Sequence, residues 1–301
     1  DLTNKNFIQL GCITEDMLNF NNTTRFRNVS FVCGTNYSTF TLIVPFYSEI
    51  NNWHNLKGKK VGTSSIGSLS YIHLKSLMKS YRFKENDMNI VTGNIYNILH
   101  KFINYEIDAV YYTIIHPNPI VFLYEKNSRI KLLDTSNIDK SLLNFYIPNT
   151  IIQPIDTKFY SNKIKSNQST DSYGVRNIII ANNTVSNIYI FKLLYSLVIN
   201  IFNLKSKRKY LSNLSLSLIT YTRIDTPVHP GALLFFKKYN FITDIDNKLC
   251  DYFYSKTECT EDLLKQNSKI FNNVSDIHQV QNINNKNIIF GNESYILSKN
   301  N

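Results

Sequence analysis

The run Lys59-Lys60-Val61-Gly62-Thr63-Ser64-Ser65-Ile66-Gly67-Ser68 decides the fold. Its first half is typical of a short β-strand, and its second half is a turn of small residues. After the turn, Tyr71, Leu74, Met78 and Tyr81 recur at spacings of three and four, which predicts a helix with one apolar face. A strand that leads through such a turn into a helix begins a βαβ unit, so the sequence predicts an α/β fold.

The same turn is the most informative local signal of function. Small side chains let the backbone approach a ligand closely, and the N–H groups at the start of the next helix carry partial positive charge. Such a turn suits a carboxylate or a phosphate. It matches neither a dinucleotide fingerprint nor a Walker loop, since the glycine spacing fits neither and no Lys follows Gly67. The alternative is an ordinary strand-to-helix turn in which Ser caps the helix.

Further strands and helices alternate downstream of this turn. We predict strands at residues 88–91, 107–113 and 130–133, and helices at residues 95–103 and from Pro119 onward. The strand at 107–113 is nearly continuously apolar, which is typical of a strand buried on both faces. This alternation indicates parallel βαβ units with both faces of the sheet covered.

The regions on either side of this part follow a different pattern. Three strand-like runs precede it, and an irregular crossing segment, a strand and a long helix follow it. We place these elements at residues 7–13, 29–33, 40–46, 144–175, 176–181 and 184–203. Polar Lys192, Ser196 and Asn200 lie on one stripe of the long helix, which favours a half-buried globular helix over a membrane span.

Composition and residue spacing exclude several classes of function. A chain of 301 residues with 43% hydrophobic residues is long and apolar enough to fold into two domains. The net charge is +11, but the one dense basic run, residues 205–209, is better interpreted as a solvated helix end than as a nucleic-acid site. The six His form no metal-binding spacing, and no nucleophile elbow is present. We therefore predict no metal, no cofactor and no enzymatic activity.

The end of the chain gives weaker signals. Periodicity fades after Ile242, and Asn clusters dominate residues 243–301, which we interpret as an Asn-rich C-terminal appendage. The four cysteines leave two alternatives open. An exported protein permits a disulfide between Cys250 and Cys259, whereas in a cytosolic protein all four cysteines are free thiols.

Four segments together resemble a known family. They are residues 56–68, the stretch Glu106-Ile-Asp-Ala-Val-Tyr-Tyr-Thr113, the stretch Arg129-Ile-Lys-Leu-Leu133, and Thr226-Pro-Val-His-Pro-Gly-Ala232. In this order and spacing they resemble the TAXI family of solute-binding proteins of TRAP transporters. The Pro-x-His-Pro-Gly-Ala element is the most specific of the four, and the resemblance covers about residues 7 to 242.

The resemblance implies a two-lobed, periplasmic-binding-protein-like fold of type II with crossing hinge strands at residues 40–44 and 176–180. Lobe I would comprise residues 1–49 and 176–242, and lobe II residues 50–175. The ligand would be a small carboxylate, such as a glutamate-like amino acid, held in the cleft between the lobes. Its contacts are expected from Ser64, Ser65, Gly67 and Ser68, with Thr113 at the end of a strand and Thr14 at a position where the family usually has an amide.

The resemblance also implies partners and a location. The expected partner is a TRAP-type membrane permease, and the expected location is the periplasm, given a signal peptide upstream of Asp1. We expect a monomer that has no membrane span and binds no nucleic acid. The family's opening strand and helix precede the part that residues 10–16 resemble, so we expect lobe I to be incomplete and to expose a sheet edge or an apolar face. The alternative is a decayed binding-protein fold that acts as a surface interaction protein, immunogenic and without solute transport.

Overall fold

The computed structural model describes residues 8–19, 28–160, 170–220 and 227–239. Within these ranges the chain forms one sheet with helices packed against it. The strands are β1 (Leu10–Thr14), β2 (Val29–Pro45), β3 (Lys60–Thr63), β4 (Asn89–Thr92), β5 (Ala109–Ile114), β6 (Ile130–Leu133), β7 (Ile151–Ile152) and β8 (Tyr173–Asn182). The helices are α1 (Asp16–Asn19), α2 (Leu69–Ser80), α3 (Ile95–Ile103), α4 (Pro119–Asn127), α5 (Lys140–Tyr146), α6 (Asn187–Ile199), α7 (Ile201–Lys207), α8 (Leu216–Thr220) and α9 (Pro230–Lys238).

The sheet combines a parallel and an antiparallel part. Its order is β1-β8-β2-β5-β3-β4, with β6 also paired to β2 and β7 to β8. Strand β3 is parallel to both β4 and β5, while β2 and β8 are antiparallel to each strand with which they pair. The predicted α/β class is confirmed, and so are the parallel βαβ units, because α2 and α3 connect the three parallel strands.

Strand β2 is the longest element of the sheet. The sequence predicts two strands here, at residues 29–33 and 40–46, but the structure has one strand of 17 residues. Its first part pairs with β8 and its second part with β5 and β6. The polar residues between the two apolar runs lie at a register shift between Gly34 and Tyr37, and β2 stays paired with β8 on both sides of this shift.

The described residues form three hydrophobic cores. Core A holds Phe31, Ile178 and Phe191, and its members come from β2, β8 and helices α6 to α9. Core B packs α2 and α5 on one face of the parallel strands, and core C packs α3 and α4 on the other face. We define lobe I as the part around core A and lobe II as the part around cores B and C. Residues 40–44, an expected crossing strand, place their side chains in cores B and C.

Strands β2 and β8 alone run through both lobes in the described part of the chain. Val175 belongs to core B and Ile178 to core A, so the change of lobe on β8 occurs at Arg176 and Asn177. The side-chain amide of Asn177 donates to Asn36 Oδ1 over 2.9 Å and to Ser38 Oγ over 2.9 Å on the neighbouring strand. This buried polar cluster marks the junction between the lobes.

Helix α6 begins later than predicted. The sequence places one helix at residues 184–203, whereas the structure has two, which begin at Asn187 and Ile201 and are bent by 62°. Thr184 instead bonds to the side chain of Asn182. No single described helix is long and apolar enough to cross a membrane, although this bent pair has the length and composition together. The appendage at residues 243–301, with Cys250 and Cys259, lies outside the described residues.

Candidate ligand-binding site

The small-residue turn connects β3 to α2 as the sequence predicts. Ser68 is the N-cap of α2, and its Oγ accepts a hydrogen bond from the backbone N–H of Tyr71 over 3.2 Å. The Ser68 amide donates to the carbonyl of Ser65 over 3.0 Å. Among the described residues, no acceptor bonds the amides of residues 64–67. The turn therefore presents a run of unused donors in front of a 12-residue helix.

The turn is also open to solvent. Ser65, Ile66 and Gly67 are exposed, and Ser64 and Ser68 are half-buried. Gly67 has a φ of +82°, in the left-handed region that favours glycine, and a Cβ atom added there would meet nothing within 4 Å. A small anion can therefore approach the backbone of this turn.

The end of β5 lies against the first turns of α2. The backbone N–H of Thr113 donates to Ser70 Oγ over 3.0 Å, and Thr113 Oγ1 lies 3.0 Å from His73 Nδ1. The same hydroxyl lies 3.0 Å from the hydroxyl of Tyr111. Because β3 and β5 are parallel, their carboxyl ends share one edge of the sheet, which brings Thr113 beside the helix that follows the turn.

His73 joins this edge of lobe II to lobe I. Its Nε2 lies 2.7 Å from Asp16 Oδ2, and both side chains are 0% exposed. Asp16 opens α1, directly after β1, whose flanking Ile13 and Leu18 pack against core A. His73 precedes Leu74 of core B on α2. The contact between Asp16 and His73 thus crosses the interface between the lobes.

A second acidic residue reinforces this interface. Glu15 Oε2 accepts from Arg176 Nε over 2.8 Å, and Glu15 Oε1 accepts from Asn149 Nδ2 over 3.2 Å. Burial raises the pKa of the Glu15 carboxyl, and the Arg176 guanidinium opposes this rise. Asn149 follows α5 of lobe II, so both adjacent acidic side chains of lobe I contact lobe II.

The structure brings most of the predicted site residues to one helix end. Ser64, Ser65, Gly67 and Ser68 form the turn itself, and Thr113 contacts the first turns of α2 through Ser70 and His73. Thr14 is separate from the turn: it is 1% exposed, and its hydroxyl has no hydrogen-bond partner among the described residues. It pairs in the sheet with Asn177 at the lobe junction and lies two residues before Asp16.

Sequence reasoning missed the side chains that connect the lobes. His73 lies within the predicted helix and belongs to no recognisable motif, but in the structure it is buried and both of its ring nitrogens have polar partners. Glu15 and Asp16 carry no motif. The available signal was their position just after the strand predicted at residues 7–13, since acidic side chains that are buried in a fold are almost always paired.

The most specific motif of the family resemblance contributes to lobe I rather than to this site. The carbonyl of Pro227 accepts from the Phe31 amide over 2.8 Å, and the His229 amide donates to the Phe31 carbonyl over 2.8 Å. His229 Nδ1 caps α9 by accepting from the Gly231 amide over 3.1 Å. A Cβ atom on Gly231 would lie 2.2 Å from the backbone oxygen of Asn187, so glycine allows α9 to pack closely on α6.

A second polar network lies at the loop after β5. His116 Nε2 lies 2.7 Å from Thr41 Oγ1, and His116 Nδ1 bonds to the hydroxyl of Tyr160, which also accepts from the Asn118 amide over 3.0 Å. Burial lowers the pKa of His116 to about 3. The network therefore holds a neutral imidazole. In the described part of the chain, no three His, Cys, Asp or Glu side chains come together in a way that could hold a metal ion.

Comparison with known proteins gives one family match. The model of the NMT1-like family matches residues 14–238, which is three quarters of the chain and includes both lobes. A search of curated proteins by sequence found no match.

Solved structures show a more distant similarity. The chain is 16% identical to the periplasmic aliphatic sulphonate binding protein SsuA from Escherichia coli, with 92% of this chain and 81% of that chain covered and a TM-score of 0.45. A Streptococcus mutans structure, described as a basis of glutathione import through GshT and the cystine importer TcyBC, gives 15% identity, coverage of 70% and 72%, and a TM-score of 0.41. The sulfonate-binding protein SsuA from Methylobacillus flagellatus KT gives 16% identity and a TM-score of 0.39. The match covers 60% of this chain and 44% of that protein.

Proposed function

Because the chain belongs to the NMT1-like family, we propose that it is a solute-binding protein that captures a small carboxylate between its two lobes and delivers it to a membrane importer. It performs no chemistry on the solute. Its sequence motifs resemble those of TRAP-type binding proteins, so the proposed importer is a TRAP-type permease, and the proposed location is the periplasm. Glutamate-like amino acids and related organic acids are the first solutes to test.

The observation that carries this proposal is the set of unused amides in the turn before α2. Ser65, Ile66 and Gly67 are exposed, the N–H groups of residues 64–67 have no acceptor among the described residues, and the helix that follows adds partial positive charge. A carboxylate bound there is held by charge-assisted hydrogen bonds from the backbone. Ser64, Ser65, Gly67 and Ser68 are the proposed contacts.

The position of this turn suits a protein that closes around its ligand. His73 lies five residues after the N-cap of α2, about 7.5 Å along the helix axis, and it meets Asp16 of lobe I. A solute at the turn is therefore close to the interface between the lobes. Thr113 and Thr14 are proposed as flanking polar groups. Closure around a bound anion excludes water and strengthens the hydrogen bonds to it.

Isothermal titration calorimetry tests the proposal. The full chain is titrated with a panel of small carboxylates that includes glutamate and 2-oxoglutarate, and with uncharged analogues of the same size. We expect dissociation constants between the micromolar and millimolar range for at least one carboxylate, without turnover. If every carboxylate in the panel fails to bind, the ligand class is wrong.

Two glycines provide a matched pair of variants. Gly67 follows β3 and Gly58 precedes it, both have positive φ, and an added Cβ meets nothing at either position. Gly67→Ala and Gly58→Ala therefore impose a similar backbone strain of about 1–2 kcal/mol. Only Gly67→Ala distorts the proposed anion site. We expect it to weaken carboxylate binding at least tenfold while Gly58→Ala leaves binding unchanged, and equal effects would contradict the assignment.

A second candidate function is a surface interaction protein that no longer binds solute. The buried contact between Asp16 and His73 favours it, because the chain's own carboxylate lies where the two lobes meet. This hypothesis predicts that the protein binds no carboxylate. It also predicts that the contact between Asp16 and His73 persists whichever solute is added. Hydrogen exchange of the amides in α1 and α2 can measure this.

A further inference from the structure

The carboxylate of Asp16 is buried, but only one of its two oxygens has a hydrogen-bond partner among the described residues. Asp16 Oδ2 lies 2.7 Å from His73 Nε2, whereas Oδ1 has no hydrogen-bond partner among the described residues, and the side chain is 0% exposed. The neighbouring Glu15 differs in this respect, because each of its oxygens accepts a hydrogen bond. A buried carboxylate oxygen without a donor is costly. Asp16 therefore has fewer stabilising hydrogen bonds than Glu15, whose carboxylate is fully bonded.

Lobe II supplies an ordered set of donors to this carboxylate. The hydroxyl of Tyr111 lies 3.0 Å from Thr113 Oγ1, which in turn lies 3.0 Å from His73 Nδ1. Burial raises the pKa of Tyr111 well above its ordinary value, so it remains a neutral phenol that can donate. With Tyr111 donating to Thr113 and Thr113 donating to His73, the Nε2–H of His73 points at the carboxylate. All three residues belong to lobe II.

We infer that His73, held by Thr113 and Tyr111, is a carboxylate-binding subsite of lobe II, and that Asp16 of lobe I occupies it as an internal ligand until a solute carboxylate replaces it. This inference rests on the proposed function, since it concerns the regulation of the same cleft. The subsite lies about 7.5 Å along α2 from the turn whose amides form the first anion site.

The fold allows this replacement. Asp16 belongs to the short segment after β1, which pairs only with β8 in the described sheet. The lobes are joined by β2 and β8, and β2 has a register shift at the junction. A hinge movement there separates Asp16 from His73 and leaves core A of lobe I and cores B and C of lobe II intact. In the separated state the Nε2–H of His73 faces the cleft and needs a new acceptor, which a solute carboxylate provides.

Acetate is the probe for this subsite, because it has the same carboxylate group as the Asp16 side chain but is a free small molecule. The thermal unfolding midpoint of the full chain is measured with increasing sodium acetate at pH 7, against sodium chloride of equal ionic strength. In Asp16→Ala the subsite is vacant, so we expect acetate to bind at least tenfold more tightly than to the wild type and to raise the midpoint accordingly.

Two further variants separate occupancy from other effects of the substitution. Asp16→Asn fills the same space, so acetate should not stabilise it beyond the wild type. The double variant Asp16→Ala/His73→Phe keeps the vacancy but lacks the donor, so its response to acetate should fall back to that of the wild type, which includes any binding at the turn. The inference is overturned if acetate binds Asp16→Ala and the wild type equally, or if the gain in acetate binding over the wild type survives the loss of His73. If Asp16→Ala is unfolded in chloride, acetate must restore its folding, and failure to do so overturns the inference as well.

The acetate experiment tests the His73 subsite without knowledge of the natural solute. Acetate binding by Asp16→Ala reports on the His73 subsite even if no solute of the calorimetric panel binds the wild type, in which case the proposed function fails alone. Conversely, a solute that binds at the turn while acetate ignores Asp16→Ala supports the proposed function and refutes the subsite.

Discussion

Acidification should destabilise the protein through His229, the N-cap of α9. This imidazole is 0% exposed in lobe I, and its burial lowers its pKa from 6.5 to about 4. A base with a lowered pKa in the folded state contributes its full stability above the unfolded pKa. That stability is lost as the pH falls from about 6.5 to about 4, because the unfolded chain takes up the proton first.

The magnitude follows from the two pKa values. With an unfolded pKa of 6.5 and a folded pKa of about 4, lowering the pH from 7 to 4.5 removes about 2 kcal/mol of folding free energy. The substitution His229→Asn removes the titrating ring but keeps a good N-cap residue, since Asn accepts the same kind of backbone hydrogen bond. We expect the difference in stability between the two pH values to be smaller in His229→Asn by about this amount.

Urea unfolding at pH 7 and pH 4.5, followed by circular dichroism, measures the difference. The control is Phe236→Leu, which removes apolar volume from the same core without removing a titratable group. This variant is less stable at both pH values but should keep the full loss on acidification. If His229→Asn loses as much stability between the two pH values as the wild type and Phe236→Leu, the buried neutral imidazole is not the cause.

Three further predictions concern single contacts. Arg176→Met leaves the buried Glu15 without its cation and should cost about 3–5 kcal/mol in urea unfolding, with part of the loss recovered when Glu15→Gln is added; no recovery would argue against the charge as the cause. Gly231→Ala places a Cβ atom 2.2 Å from a backbone oxygen at the start of α6 and should cost about 1–3 kcal/mol, whereas Gly93→Ala, which meets only ordinary contacts, should cost less than about 1 kcal/mol. Ser68→Ala removes the cap of α2 and should cost about 1 kcal/mol by thermal unfolding; an unchanged midpoint would show that the cap is dispensable.

The order of strands and helices in lobe II could be predicted from the sequence because it is encoded locally. The strand, turn and helix around Gly67 are found as predicted, and α3 spans Ile95–Ile103 at the predicted residues. These elements bury one face each, and a buried face leaves a period in the apolar residues that can be recognised without the fold. The position of Ser68 as a helix cap is equally local, since a cap is completed within three residues.

The continuity of β2 could not be predicted in the same way. Its two apolar runs are separated by polar residues, and the pattern alone suggests an interruption. The structure keeps them in one strand because Asn177 of the neighbouring β8 binds Asn36 and Ser38, which satisfies the polar groups inside the sheet. The partner that permits this lies more than 100 residues away in the chain.

The sequence by itself determined the α/β class, the alternating elements of lobe II and the small-residue turn with its free amides, because these depend on side chains a few residues apart. Only the tertiary structure decided that Asp16 meets His73 and that Glu15 meets Arg176 and Asn149. These contacts connect residues separated by 57 to 161 positions. The physical reason is that burial of a charge is tolerated only where another segment supplies a donor, and no local pattern shows which segment that is.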